Sequence, residues 1–326
     1  MNPESHTPEL SFIIASWNTA AYLAQCIASI VASGVSRPFE IIVVDNASSD
    51  GSPEMVEQRF PGVSLIRNGG NAGFAGAINR GISKSGGSYV CIVNSDVVVQ
   101  KGCVDALLCI MEKNPGVGMA GPQIIGPDGE VRRSCMKFPT LYGVFMRALG
   151  LDALFPKSKV FGSHLMLYRN PESSGTVEVI NGCFWLVRRT ALEAVGLLDE
   201  HFFFYGEDID WCQRFRRAQW DVVFYPEARA MHYGGASTAS APVRFAIEQL
   251  RADLHYWRKY HATASRVLYR ALLVLHHSVR IIGHGAAMLG GPGKRETSLF
   301  KVRRSAACLF FLMHLPCKPL RSKAAS

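Results

Sequence analysis

Residues 11–122 alternate short apolar runs with helical stripes, and few architectures accept that pattern. Runs at 11–16, 40–45, 63–67, 89–94 and 117–120 read as strands. Between them Tyr22, Leu23, Cys26, Ile27 and Ile30 recur at helical spacing, and 53–59, 75–84 and 103–113 continue as helices. Such alternation implies parallel strands with right-handed crossovers, an α/β fold. In open sheets of this kind ligands bind beyond the strand carboxyl ends. The polar residues there are Asn18, Asp45, Asn46, Asn94 and Asp96.

The 326 residues suit one large domain or two smaller ones with ample core. Nine scattered cysteines contain no Cys-x-x-Cys pair, so neither a disulfide framework nor a structural zinc site is expected, and a reducing compartment is. The first six residues lack a basic region and a long apolar stretch, which argues against a signal peptide. Net charge is +9 and sits unevenly. Residues 244–326 carry 15 Lys/Arg against 3 Asp/Glu, whereas residues 1–243 are net −3. In that tail the apolar stretches 272–275, 281–289 and 309–315 alternate with basic residues, and none reaches the roughly 20 apolar residues that span a bilayer. A basic amphipathic helical tail over 261–326, lying on the anionic inner face of the cell membrane, is expected. Packing against the domain, or a nucleic-acid patch, are the alternatives.

The densest chemistry lies at Phe204-Tyr205-Gly206-Glu207-Asp208-Ile209-Asp210-Trp211-Cys212. Ile209, Cys212, Phe215 and Ala218 form a buried stripe that starts a helix near Asp208. Carboxylates at a helix N-terminus are stabilised in their ionised form, which suits a general base. An acidic helix cap with solvated neighbours is the plainer reading. Asp210 is turned about 200° from Asp208 and is spaced to pair with Arg214.

Other signals are individually weak. Asp45 closes an apolar strand and can accept from a ribose or base, or make an Asx-turn. Asn71-Ala72-Gly73-Phe74-Ala75-Gly76 opens a helix whose N–H groups can face phosphate, yet it is neither Gly-x-Gly-x-x-Gly nor a P-loop. Asp96, after Asn94-Ser95, can hold a divalent cation that bridges phosphates, or simply end a strand. His232 follows the strand-like run 222–225 and either completes that metal site or packs as a structural histidine. Residues 126–129 signal a hairpin tip, 139–175 a mobile loop, and 183–187 a strand beside Asn181-Gly182. Trp17 either stacks on a base or packs.

In this order Val44-Asp45-Asn46-Ala47-Ser48, Asn71-x-Gly73-Phe74-Ala75, Asn94-Ser95-Asp96, Glu207-Asp208-x-Asp210 and His232 resemble the family 2 inverting glycosyltransferases of GT-A fold. They look most like the bacterial rhamnosyltransferase-like branch, over about residues 10–260. The resemblance implies a mostly parallel central sheet flanked by helices. It divides a catalytic domain, 1–260, into a nucleotide-sugar half (10–122) and an acceptor half (123–260). It also implies a nucleotide-diphosphate sugar donor, a Mg or Mn ion, and a hydroxyl-bearing glycan or lipid-linked acceptor in cell-surface polysaccharide synthesis. Asn18, Asp45, Asn71, Gly73, Phe74, Asn79, Asn94 and Asp96 would face the donor, with Asp96 and His232 on the metal. Asp208 would be the base, with Glu207 orienting its neighbours or binding acceptor. Asn181, Gly182 and Asp210 would lie toward the acceptor. Asn94 departs from the pattern, since many members have Asp there.

Other classes fare worse. A dinucleotide-dependent oxidoreductase needs a glycine fingerprint where this chain has Ser16-Trp17-Asn18-Thr19-Ala20. A nucleic-acid binder leaves the acidic cluster unexplained, so no nucleic-acid partner is expected. Transfer to a polyprenyl phosphate, or an inactive nucleotide-sugar-binding scaffold, are the remaining alternatives.

Overall fold

Strands covered on both faces read as unbroken apolar runs, as residues 10–16, 39–45 and 89–93 do here. The computed structural model describes residues 8–235, 241–288 and 292–314. Strands β1 (Leu10–Ser16), β2 (Phe39–Asp45), β3 (Ser64–Arg67) and β4 (Tyr89–Val93) are parallel. Helices α1 (Ala20–Ala32), α2 (Ser52–Arg59) and α3 (Gly73–Lys84) connect them. Phe12 and Ile14 of β1 pack with α1, while Ile13 between them packs with α3. The register pairs Ser16 with Asp45 and Asp45 with Arg67, so the strands end level and their following loops share one edge.

Next come β5 (Val97–Val99), α4 (Cys103–Lys113) and β6 (Val117–Ile125), which runs on past the expected 117–120. After the hairpin tip, where Gly126 N–H bonds the Glu130 carbonyl at 2.8 Å, follow β7 (Cys135–Met136), α5 (Leu141–Ala148) and α6 (Leu151–Leu154). The supposed mobile loop therefore holds helices, α5 being capped by the Thr140 hydroxyl on Gly143 N–H at 3.1 Å. Then come β8 (Gly175–Thr176), β9 (Val179–Ile180), β10 (Phe184–Arg188), α7 (Arg189–Val195), α8 (Glu207–Arg217) and β11 (Asp221–His232). Among the described residues the main sheet runs β3-β2-β1-β4-β10-β6-β11-β5, with β8 beside β11. Strand β10 inserts antiparallel between β4 and β6, so the sheet is mixed where alternation alone implies a parallel neighbour. Pairing of β7 with β9 makes a second, two-stranded sheet.

The chain continues as α9 (Pro242–Tyr260), α10 (Thr263–Ala287) and α11 (Pro292–Met313). The expected tail is helical, and its described part packs on the rest of the molecule. Trp257 of α9 stacks on Tyr269 of α10 at 4.4 Å, and Phe202, Leu273, Cys308 and Leu312 join the same cluster. No described helix is long and apolar enough to cross a membrane. The eight described cysteines are free; Cys317, residues 315–326 and the first six residues lie outside the described parts.

One close contact sets the geometry of the ligand edge. Gly73 opens α3 at φ +76°, and a Cβ there would lie 2.4 Å from the Phe203 carbonyl oxygen. That oxygen accepts from Phe74 N–H at 3.0 Å, tying α3 to the loop before α8. Gly73→Ala should therefore cost about 1–3 kcal/mol of stability, read as a lowered urea midpoint; an unchanged midpoint would show that the loop yields freely.

Candidate active site

The level strand ends open into a cavity of ≈ 560 Å³. Its walls include Asn46, Asn71, Gly73 and Phe74 from one side, and Asn94, Asp96 and His232 from another. Asn181, Gly182, Glu207 and Asp208 complete the group that the sequence singled out. Residues far apart in the chain thus meet because each follows a strand or opens a helix on the same edge.

Asp96 and His232 are brought together by sheet pairing. Strand β11 places His232 opposite Val97 of β5, so His232 Nε2 lies 3.1 Å from Asp96 Oδ1. Burial pushes the imidazole down, but hydrogen bonds to Asp96 and Cys183 outweigh it and raise it to about 10. Asn94 Oδ1 is buried without a hydrogen-bond partner. A carboxylate, an unsatisfied amide oxygen and, once it gives up its proton, an imidazole make a donor set that fits a hard or borderline divalent cation, with phosphate and water for the other positions. A second compact group, Asp199, His201 and His255, has metal-ligand spacing but does not line this cavity. There the Lys259 ammonium already sits 2.7 Å from Asp199 Oδ2.

Asp208 and Glu207 form the first turn of α8, after Gly206 at φ +82°. The sequence argument expected the helix N-terminus to keep them ionised. Burial wins instead. It raises the Asp208 carboxyl above the ordinary carboxylate range, although the Ile209 and Gly182 N–H groups pull the other way. Glu207 is raised further, by burial and then by the neighbouring Asp208 charge. Its Oε2 is buried without a partner, and only 9% of the residue is exposed. Losing water costs a carboxylate more than a helix terminus returns.

Asp45 makes the turn that its position allows. Its Oδ2 accepts from Ser48 N–H at 3.0 Å in a turn, while Oδ1 is buried and unpaired. Asn18 stands beside it at φ 54°, its Oδ1 accepting from Ser49 N–H at 2.8 Å. Neither is in the cavity wall. Asn71 Oδ1 accepts from Gly73 N–H at 2.9 Å and so shapes the α3 entry. Trp17 lines the cavity.

Two more expected site residues also lie outside the cavity wall. Asn79 uses its amide on Leu198 N–H and carbonyl and on Glu200, at 2.9–3.0 Å, so it fastens α3 to the loop after α7 and is absent from the cavity. Asp210 is fully buried, held by Arg214 Nε at 2.9 Å, Lys259 Nζ at 2.7 Å and the Tyr260 hydroxyl at 2.7 Å. It anchors α8 to α9, because the helical turn that presents Asp208 to the cavity turns Asp210 into the protein.

Sequence reasoning gave no role to two contributors. Asn46, one of the strand-end polar residues, lines the cavity and knits its edge, donating to the Gly73 carbonyl at 3.1 Å and accepting from Asn68 at 2.7 Å. The far wall is basic, with Arg133, Lys137, Arg147 and Arg244, and Tyr269 of α10 completes it. Those residues belong to the stretch without readable periodicity and to the tail, so no local motif marked them.

Residues 11–196 match the model for glycosyl transferase family 2. The chain is 32% identical over 247 residues, 72% of its own length and 80% of the relative's, to an N-acetylglucosaminyl-diphospho-decaprenol L-rhamnosyltransferase of Mycobacterium tuberculosis (strain CDC 1551 / Oshkosh). It is 27% identical over 205 residues, 61% of each chain, to a low-salt glycan biosynthesis hexosyltransferase of Haloferax volcanii. Among solved structures it is similar to a mannosyltransferase of Pyrobaculum calidifontis in complex with GDP-Man and Mn2+, with TM-score 0.56, 16% identity, and 95% and 88% of the two chains covered. A second likeness, to GalNAc-T7 with UDP, GalNAc and Mn2+, has TM-score 0.52 and 14% identity, covering 78% and 51%. These two show the GT-A fold. With its family model matched over more than half its length and a relative covered over most of its own, this chain belongs to glycosyl transferase family 2 and is a transferase of GT-A fold.

Proposed function

We propose that this enzyme moves a sugar, rhamnose by analogy with its mycobacterial relative, from a nucleotide-diphosphate donor to a hydroxyl of a lipid-linked glycan acceptor, inverting the anomeric centre. The observation that carries this reading is the sharing of one cavity by the Asp208 carboxyl and the Asp96–His232 pair. Two distinct chemistries are thereby available to one bound sugar.

Departure of a nucleoside diphosphate leaves negative charge on its outer phosphate. Asp96, His232 and Asn94 Oδ1 would hold a Mg or Mn ion, which when bound supplies Lewis-acid stabilisation of that charge. The chain's own part is separate. Asp45 Oδ1, buried and unpaired next to the cavity-wall residue Asn46, is an acceptor suited to a donor hydroxyl or base N–H, whereas the Ala72, Gly73 and Phe74 N–H groups at the α3 entry are already held by Asn46, Asn71 and Phe203. Asp208, once deprotonated, takes the acceptor hydroxyl proton while the new C–O bond forms and the C–O bond to the donor phosphate breaks. A single displacement inverts the centre, with no sugar–enzyme bond. Buried Glu207 beside it favours its neutral form, leaving Asp208 as the charged member of the pair.

Membrane association on the cytoplasmic face belongs to the same reading. Leu268, Leu275, Val279 and Ile282 lie along one stripe of α10 and are exposed, Ile282 at 72%, and Phe310 and Met313 are exposed on α11. Basic residues flank them, a pattern that suits an anionic lipid surface.

Two substitutions should separate the roles. Asp208→Asn should lower kcat by about 100-fold or more while calorimetric nucleotide-sugar affinity stays close to wild type. Asp96→Ala should instead abolish Mn2+-dependent donor affinity, as EDTA does. Normal turnover in the Asp208 variant would remove it as the base, and donor affinity that survives exhaustive chelation would remove the metal. For the membrane surface, Leu275→Glu/Ile282→Glu should lose flotation with phosphatidylglycerol vesicles without a drop in melting temperature. Unchanged flotation would place the contact elsewhere.

A further inference from the structure

A second cavity, of ≈ 470 Å³, lies between α5, α9, α10 and α11 and shares Arg147, Asp253 and Tyr269 with the first. Its lining divides by chemistry. Val144, Phe245, Leu250, Leu273 and Cys308 make it apolar, whereas Arg147, Arg280 and Arg304 bring three guanidinium groups to it.

Arg280 and Arg304 are poorly compensated. Asp253 is the one carboxylate in the lining, and burial raises it toward its neutral form, against the pull of Gln249 and Arg147. Asp152, nearby, is already engaged by Arg147 Nε at 3.6 Å and His164 Nε2 at 3.5 Å. Burial, followed by Arg304, pushes Arg280 down. His277 is driven down to about 4, by burial first and then by His276, Arg280 and Arg304, and its Nδ1 is buried without a partner. A folded protein that gathers like charges around a cavity stabilises an anion there.

We propose that this second cavity receives the diphosphate and first isoprene units of a prenyl-diphosphate-linked acceptor. Arg280 and Arg304 hold the diphosphate, and Arg147 marks the passage through which the attached sugar reaches Asp208. The proposal rests on the reading of the acceptor as lipid-linked. Charge selects a diphosphate and the apolar wall selects a prenyl chain, so the site prefers the amphiphile over either half alone.

The test measures binding of farnesyl diphosphate to the full chain in EDTA, where metal-dependent binding in the first cavity is silent. Wild type should bind it at least 10-fold tighter than farnesol or inorganic pyrophosphate. Arg280→Gln/Arg304→Gln should lose at least 10-fold, Arg304→Lys should keep most of the affinity, and UDP, GDP and dTDP binding with Mn2+ should not change. Arg280→Gln and Arg304→Gln made singly keep the measurement available if the double variant does not fold. Equal affinity in the glutamine variants overturns the proposal. So does complete competition by phosphatidylglycerol vesicles, which would assign the cluster to bulk anionic lipid. A transfer assay with prenyl-diphosphate-linked N-acetylglucosamine separates the two readings. Arginine-dependent farnesyl diphosphate binding without any transfer leaves the cavity assignment standing and removes the proposed reaction. Transfer with the same acceptor KM in wild type and double variant does the reverse.

Discussion

Desolvation of the first turn of α8 is the constraint on which the site depends. A carboxylate in water is a weak base, and one at an exposed helix N-terminus is weaker still. Here Gly206 brings that turn against Phe202 and α9, and the loop before it is tied to α3 by the Phe203 carbonyl, which accepts from Phe74 N–H beside Gly73. Water is displaced, both carboxyls rise, and they rise unequally. Two adjacent acids in one dry place cannot ionise alike, so the difference between them assigns the charge.

The rest of the fold holds that turn at the level edge where the strands end. Asp210, two residues on, is paired with Arg214, Lys259 and Tyr260 at the α8–α9 contact. A buried ion pair adds little net stability but fixes orientation, because breaking it leaves a stranded charge. Asn79 acts similarly between α3 and the loop after α7. Both residues support the site from outside it. The C-terminal helices continue this support, since Tyr269 lines the cavity and α10 and α11 share a core cluster with Phe202. A boundary at residue 260 therefore separates chain segments but does not separate the site from the tail.

What the sequence made legible was local. The apolar runs marked β1, β2 and β4 because their burial is two-sided, and Asp96, Asp208 and His232 were found because each sits where a strand ends or a helix begins. Insertion of β10 between β4 and β6 is a long-range pairing, invisible to periodicity. Asn79 was misplaced because residue type alone does not tell which way a side chain turns, whereas Asp210, set toward the acceptor by the resemblance, turns away from Asp208 and pairs with Arg214 as its helical spacing predicts. The ionisation of Glu207 and Asp208 was misjudged for a related reason: helix polarity can be read from neighbours in sequence, whereas burial is set by α9. The basic wall from Arg133 to Arg147 lies in a stretch whose helices are too short to announce themselves.

The central claim is that burial, more than the helix terminus, sets the charge of Asp208. Carbon-13 NMR of the labelled side-chain carboxyls, assigned by comparison with Asp208→Asn, tests it most directly. The account predicts that Asp208 titrates well above the usual range of about 3.9, with Glu207 remaining protonated to higher pH than Asp208. A titration of Asp208 at or below that ordinary range would contradict it.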